Sequence, residues 1–121
     1  MGKITEPVSL TLNEYQADTA ATAIYDTKVI YPALGLANES GEVLGVIKKL
    51  MRDDHVRFDG NNSIKPDDRE NIASELGDVL WYVAALARDI DYSLNDVAIM
   101  NLWKLEDRKR RGKLGGSGDK R

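Results

Sequence analysis

Two stretches of this chain place acidic residues on the very stripe that their apolar residues mark as core-facing, and few helical folds tolerate that arrangement. In ALGLANESGEVLGVIKKL, Ala33 to Leu50, the apolar residues Leu36, Val43, Val46, Ile47 and Leu50 recur at helical spacing. At about 100° per residue, Glu39 and Glu42 project roughly 60° apart and within one turn of Val43 and Val46. An unpaired ion turned inward costs several kcal/mol or changes its protonation state. The pattern then recurs at an offset of 36 residues, where LANESGEVLGVIKKL lies over IASELGDVLWYVAAL. Glu39 falls on Glu75, Gly41 on Gly77, Glu42 on Asp78 and Leu50 on Leu86. Glu75 and Asp78 thus share a stripe with Ile72, Val79, Val83 and Leu86.

Packed antiparallel, two such helices bring four carboxylates face to face at one level of a bundle. Without a counter-charge the arrangement is repulsive, and some of the acids would stay protonated at neutral pH. Divalent cations resolve the conflict. Oxygen ligands with no nitrogen or sulfur beside them suit hard ions, so Mg²⁺ is favoured, with Mn²⁺ possible, over zinc. A di-iron bundle would want Glu-x-x-His on two helices, and neither pair ends in His. Such ions keep positions open for phosphate oxygens and lower the pKa of a bound water.

Four helical segments are expected and no sheet, with Val56 to Phe58 the one place for a short strand. The first opens at Thr11-Leu-Asn-Glu14, a capping-box pattern, and runs to about Tyr25. Tyr31-Pro32 is expected to break the chain before a second helix from about Ala33 to Arg52. After a polar loop from Asp53 to Asp68, a third runs from near Asp67 to Asp89. The fourth starts at the Ser93-x-x-Asp96 cap and ends near Arg111. On it, Asn101, Lys104 and Arg108 lie at i, i+3 and i+7 beside Leu94, Val97 and Leu105, so these polar groups also join an inward stripe. Cations beside a carboxylate cluster suggest an anionic ligand spanning both.

The 121 residues suit one domain, all-α, in a four-helix bundle-like arrangement. No apolar run approaches the roughly 20 residues of a membrane span. The opening MGKITEPVSL lacks the apolar segment of a secretory signal, so a cytoplasmic chain is expected. With no cysteine and one histidine, His55, there is little material for thiolate, His-rich metal or His-relay chemistry. From Lys104 to Arg121 the charge balance is +5, against −3 for the whole chain, so the first 103 residues carry −8. A basic end of this kind serves nucleic acid as readily as an anion held beside metal.

Glu39-x-x-Glu42 followed by Glu75-x-x-Asp78, with Lys104 and Arg108 beyond, resembles the paired motif of the MazG-like, all-α nucleoside triphosphate pyrophosphohydrolases, relatives of the dimeric dUTPases. The resemblance spans about Gln16 to Arg111. It implies Mg²⁺-dependent cleavage between the α and β phosphates, giving a nucleoside monophosphate and pyrophosphate, in a homodimer or homotetramer. On that reading Glu39, Glu42, Glu75 and Asp78 bind metal, and Lys104 and Arg108 neutralise the triphosphate. Asn101 positions a phosphate or the sugar, while Gln16, Tyr15 and Tyr31 reach base or sugar. Charge removal at Glu42 or Asp78 is then expected to abolish turnover.

Two departures stand out. The 32 residues between Glu42 and Glu75 make a longer gap than is usual for the family, and Asn38 occupies the place where some relatives carry a water-activating Glu. Glu39 is therefore taken as the proton acceptor. The alternatives are a noncatalytic helical module binding nucleic acid or protein through its basic end, and a hydrolase of another pyrophosphate-containing metabolite. The resemblance disfavours nucleic acid and membranes as partners.

A single Glu-x-x-Glu is usually a solvated face; two pairs in matched register on apolar stripes argue otherwise. Gly41 and Gly77 are expected where another helix comes close, since glycine weakens a helix interior by up to ~1 kcal/mol. Trp81 and Trp103 point away from the acid stripe, toward the first helix or a subunit interface. His55 reads as a surface histidine. The ending RRGKLGGSGDKR resembles those of short MazG-like proteins; it is expected to dock near an active site with Lys120 or Arg121 at phosphate, so that truncation after Leu114 raises the apparent KM.

Overall fold

Capping chemistry sets where most of the helices begin and end. The computed structural model describes residues 9–58 and 64–121; part of the polar loop, 59–63, and the first eight residues lie outside that range. Helix α1, Leu12–Thr19, starts where the Thr11 hydroxyl accepts the Glu14 N–H at 3.1 Å. It ends sooner than the periodicity predicts. Thr19 Oγ1 donates to the Gln16 carbonyl at 2.6 Å and Thr22 Oγ1 to the Thr19 carbonyl at 3.1 Å, and the chain tightens into a 3₁₀ turn, Ala20–Thr22.

Helix α2, Ile30–Asp53, begins before Tyr31-Pro32 rather than after it. Pro32 sits in the first turn, where the N–H it lacks has no intrahelical partner to lose, and its side chain is buried. The residue before the helix, Val29, has φ 66°, a costly conformation for a β-branched side chain. Asp89 holds it there, accepting from Val29 N–H and from the Tyr25 hydroxyl, each at 2.9 Å.

Helix α3, Pro66–Asp89, has proline at its first position and Asp67 and Asp68 in the first turn. It closes in a Schellman motif: Asp91, at φ 64°, donates to the Arg88 carbonyl at 3.0 Å and Tyr92 to that of Ala87 at 2.9 Å. Helix α4, Leu94–Arg110, ends the same way around Gly112 at φ 68°. Its first three N–H groups are each met by a side chain: Leu94 by Gln16 Oε1 at 2.9 Å, Asn95 by Asn13 Oδ1 and Asp96 by Ser93 Oγ, both at 3.0 Å. The chain is all-α, and Val56 to Phe58 forms no strand.

Helices α2 and α3 form the principal pair, antiparallel, with Gly35 against Tyr82 and Leu50 near Asn71 and Ser74. Helix α1 lies across α3 and α4. The small residues Ala84, Ala85 and Ala87 of α3 are buried with Leu94 and Leu50. The close helix approach falls at Gly35, where an added Cβ would be driven into the Tyr82 ring. Gly41 and Gly77, expected in that role, have open space around them in this chain.

Candidate metal centre and aromatic cleft

The antiparallel register of α2 and α3 brings Glu39 to Glu75 and Asp78. One carboxylate oxygen from each lies within 4.8 Å of the others. Glu39 and Glu75 are half-buried and Asp78 exposed. Glu42 stands outside this trio, on the solvent side of α2. Burial pushes the Glu39 carboxyl above its ordinary value, and the charges of Asp78, Glu75 and Glu42 push it further. Among the described residues none of the three makes an ion pair. An oxygen-only set under mutual repulsion fits a hard divalent cation.

A cleft of about 630 Å³ opens beside these acids, lined by Glu39, Asp78 and the aromatics Tyr25, Tyr31, Trp81 and Tyr82. Tyr25 stacks on Tyr31 at 4.9 Å, and Trp81 meets Tyr82 edge-on at 4.9 Å. Trp81 Nε1 donates to Thr22 Oγ1 at 2.8 Å, joining α3 to the turn after α1. The Tyr82 hydroxyl is pushed up, first by burial and also by the nearby Glu39 and Asp78 carboxylates. Trp81, expected to face away from the acids, shares their cleft. Trp81 and Tyr82 follow Asp78 by three and four residues, so each is its neighbour on the α3 surface. That spacing was a sequence signal for Trp81 and Tyr82; nothing local marked Tyr25. Tyr31 lines the cleft, Tyr15 does not, and Trp103 is 71% exposed.

The remaining expected site residues lie elsewhere. Gln16 is buried with its amide fully engaged: Nε2 donates to the carbonyls of Ala84 at 3.2 Å and Tyr92 at 3.0 Å, and Oε1 accepts from Leu94. It is a junction between helices rather than a group presented to a nucleotide. Asn101 is exposed on α4. Lys104 and Arg108 do come together, on an anion from the chain itself: Asp119 Oδ1 lies 2.6 Å from Lys104 Nζ and 3.2 Å from Arg108 Nη2. The C-terminal segment therefore docks, and it is Asp119, not Lys120 or Arg121, that brings a side chain to Lys104 and Arg108. Arg121 instead donates to the carbonyls of Gly118 at 2.6 Å and Leu114 at 3.4 Å. His55 is exposed, at φ 54° after α2.

The chain is thus all-α and gathers three carboxylates from two facing helices at the edge of an aromatic cleft. The family model of the MazG nucleotide pyrophosphohydrolase domain matches residues 32–112, and the chain belongs to that family. It is 43% identical over 115 residues to the "Gene 37 protein" of Mycobacterium phage L5, covering 88% of this chain and 96% of that protein. No solved structure matches it significantly.

Proposed function

We propose that the protein hydrolyses a nucleoside triphosphate between its α and β phosphates, releasing the monophosphate and pyrophosphate, with Mg²⁺ or Mn²⁺ held by Glu39, Glu75 and Asp78. The observation that carries this reading is the meeting of those three acids at the edge of the aromatic cleft. Glu42, one turn from Glu39, supplies a fourth carboxylate by swinging its side chain toward the seam. When bound, the ion polarises the phosphorus centre and makes a water acidic enough to attack. Glu39, a carboxylate that lies both among the acids and on the cleft wall, takes the proton of that water. Tyr25, Tyr31, Trp81 and Tyr82 offer flat faces for a nucleobase and exclude water around it.

Lys104 and Arg108 neutralise phosphate oxygens, and Asn101 orients a phosphate or the sugar. The noncatalytic, nucleic-acid-binding alternative would draw on the same basic end, and retention on DNA that falls with salt, without pyrophosphate release, would favour it.

A panel of ribo- and deoxyribonucleoside triphosphates with Mg²⁺ is expected to release pyrophosphate for at least one base, and chelation by EDTA to stop it. Orthophosphate in place of pyrophosphate, or release indifferent to EDTA, refutes the reading.

We further propose a homodimer or homotetramer. Among the described residues Leu34, Leu44 and Leu102 are 66%, 67% and 63% exposed, apolar surface that a second copy of the chain would cover. Leu44 and Met51 stand open on a groove of α2 floored by Gly41 and Gly45. Sedimentation equilibrium is expected to give a multiple of the chain mass, reduced by Leu44→Asp; a wild-type monomer at micromolar concentration contradicts the proposal.

A further inference from the structure

The C-terminal segment folds into a small knot. Gly116 and Gly118 adopt φ 92° and 88°, the left-handed region that glycine enters without strain. Arg121 bonds back to Gly118 and Leu114, and Arg111 Nη2 donates to the Arg121 carbonyl oxygen at 2.9 Å. These contacts present Asp119 to Lys104 and Arg108.

Arg108 is only 5% exposed. Its Nη2 donates to both the carbonyl and the Oδ1 of Asp119, while its Nε is buried with no partner among the described residues. Nε and Nη2 lie along one edge of the guanidinium, the edge that meets two oxygens of an oxyanion side by side. Asp119 thus loads one donor twice and leaves its neighbour empty, and Oδ1 alone serves Lys104 as well. A tetrahedral phosphoryl group carries enough oxygens, and enough charge, to fill Nε, Nη2 and the lysine together. The Asp119 side chain is 74% exposed, so no packing locks it in place.

We propose that Lys104 and Arg108 form an oxyanion site which the chain's own Asp119 occupies in the free protein, and that a phosphoryl group of the ligand displaces it. The tail is then an internal competitor, lowering apparent affinity by the fraction of molecules in which the site is filled. This rests on the phosphate-contacting role proposed for the two cations, but it is measured without metal or turnover.

The probe is inorganic pyrophosphate in EDTA, titrated calorimetrically into the full-length protein, Asp119→Asn, and a chain ending at Leu114. Asp119→Asn keeps the side-chain shape while removing its charge, so it carries the test should the shortened chain unfold. Binding is expected to tighten about 5- to 10-fold in the variants and to weaken again when Arg108→Lys is added to Asp119→Asn, since lysine cannot span two oxygens. Equal or weaker binding by Asp119→Asn overturns the proposal. So does tightening that survives Arg108→Lys, which places the anion elsewhere. If competition is found but no triphosphate is cleaved with Mg²⁺, the hydrolase reading fails and the oxyanion site stands.

Discussion

Asp78→Asn or Glu75→Gln is expected to lower kcat/KM by roughly 100-fold or more, equivalent to about 2.7 kcal/mol of transition-state stabilisation, without unfolding the protein. Three carboxylates within 4.8 Å repel one another in the absence of a cation. Turning one into an amide relieves part of that repulsion, so the melting temperature in EDTA should hold or rise. What disappears is the increase in Tm on adding Mg²⁺, because an ion that binds only the folded state stabilises it by mass action. Glu42→Gln should cost less than either change, since Glu42 starts outside the trio. Activity and thermal shift, measured on the same samples, separate the cases. A variant that unfolds in EDTA points to a structural role for these acids, and full activity removes them from the chemistry.

Gln16→Leu is expected to destabilise the fold by about 3 kcal/mol, a large part of the 5–15 kcal/mol typical of a domain. The substitution leaves the Ala84 and Tyr92 carbonyls and the Leu94 N–H without the partner that joins α1, α3 and the start of α4. Leucine fills the volume but pairs with none of them; the buried Leu94 N–H, with no intrahelical acceptor at the start of α4, bears the largest desolvation cost. Urea unfolding at fixed protein concentration measures the loss. Were Gln16 a nucleotide contact instead, KM would rise with stability unchanged, the reverse pattern.

Much of the architecture could be read before any coordinates. Thr11 and Ser93 announced helix starts, and both act as caps. The acids on the apolar stripes of α2 and α3 pointed to each other, and three of them meet. Other residues misled in instructive ways. Tyr31-Pro32 looked like a breaker because proline usually is, but a helix accepts it in the first turn. Gly41 and Gly77 carried the same glycine signal as Gly35, and only the path of Tyr82 distinguishes them. Gln16 gave no local sign of its junction role, since its partners are 68 to 78 residues away.

Helix count, capping and the acid-bearing faces were determined by the sequence alone, because a 3.6-residue period and a cap bond involve only near neighbours along the chain. Tertiary structure decided which acids converge, that Trp81 and Tyr82 wall their cleft with Tyr25 and Tyr31, and that Asp119 reaches Lys104 and Arg108. Those outcomes depend on the register of two antiparallel helices and on where distant loops return, and no local spacing encodes either.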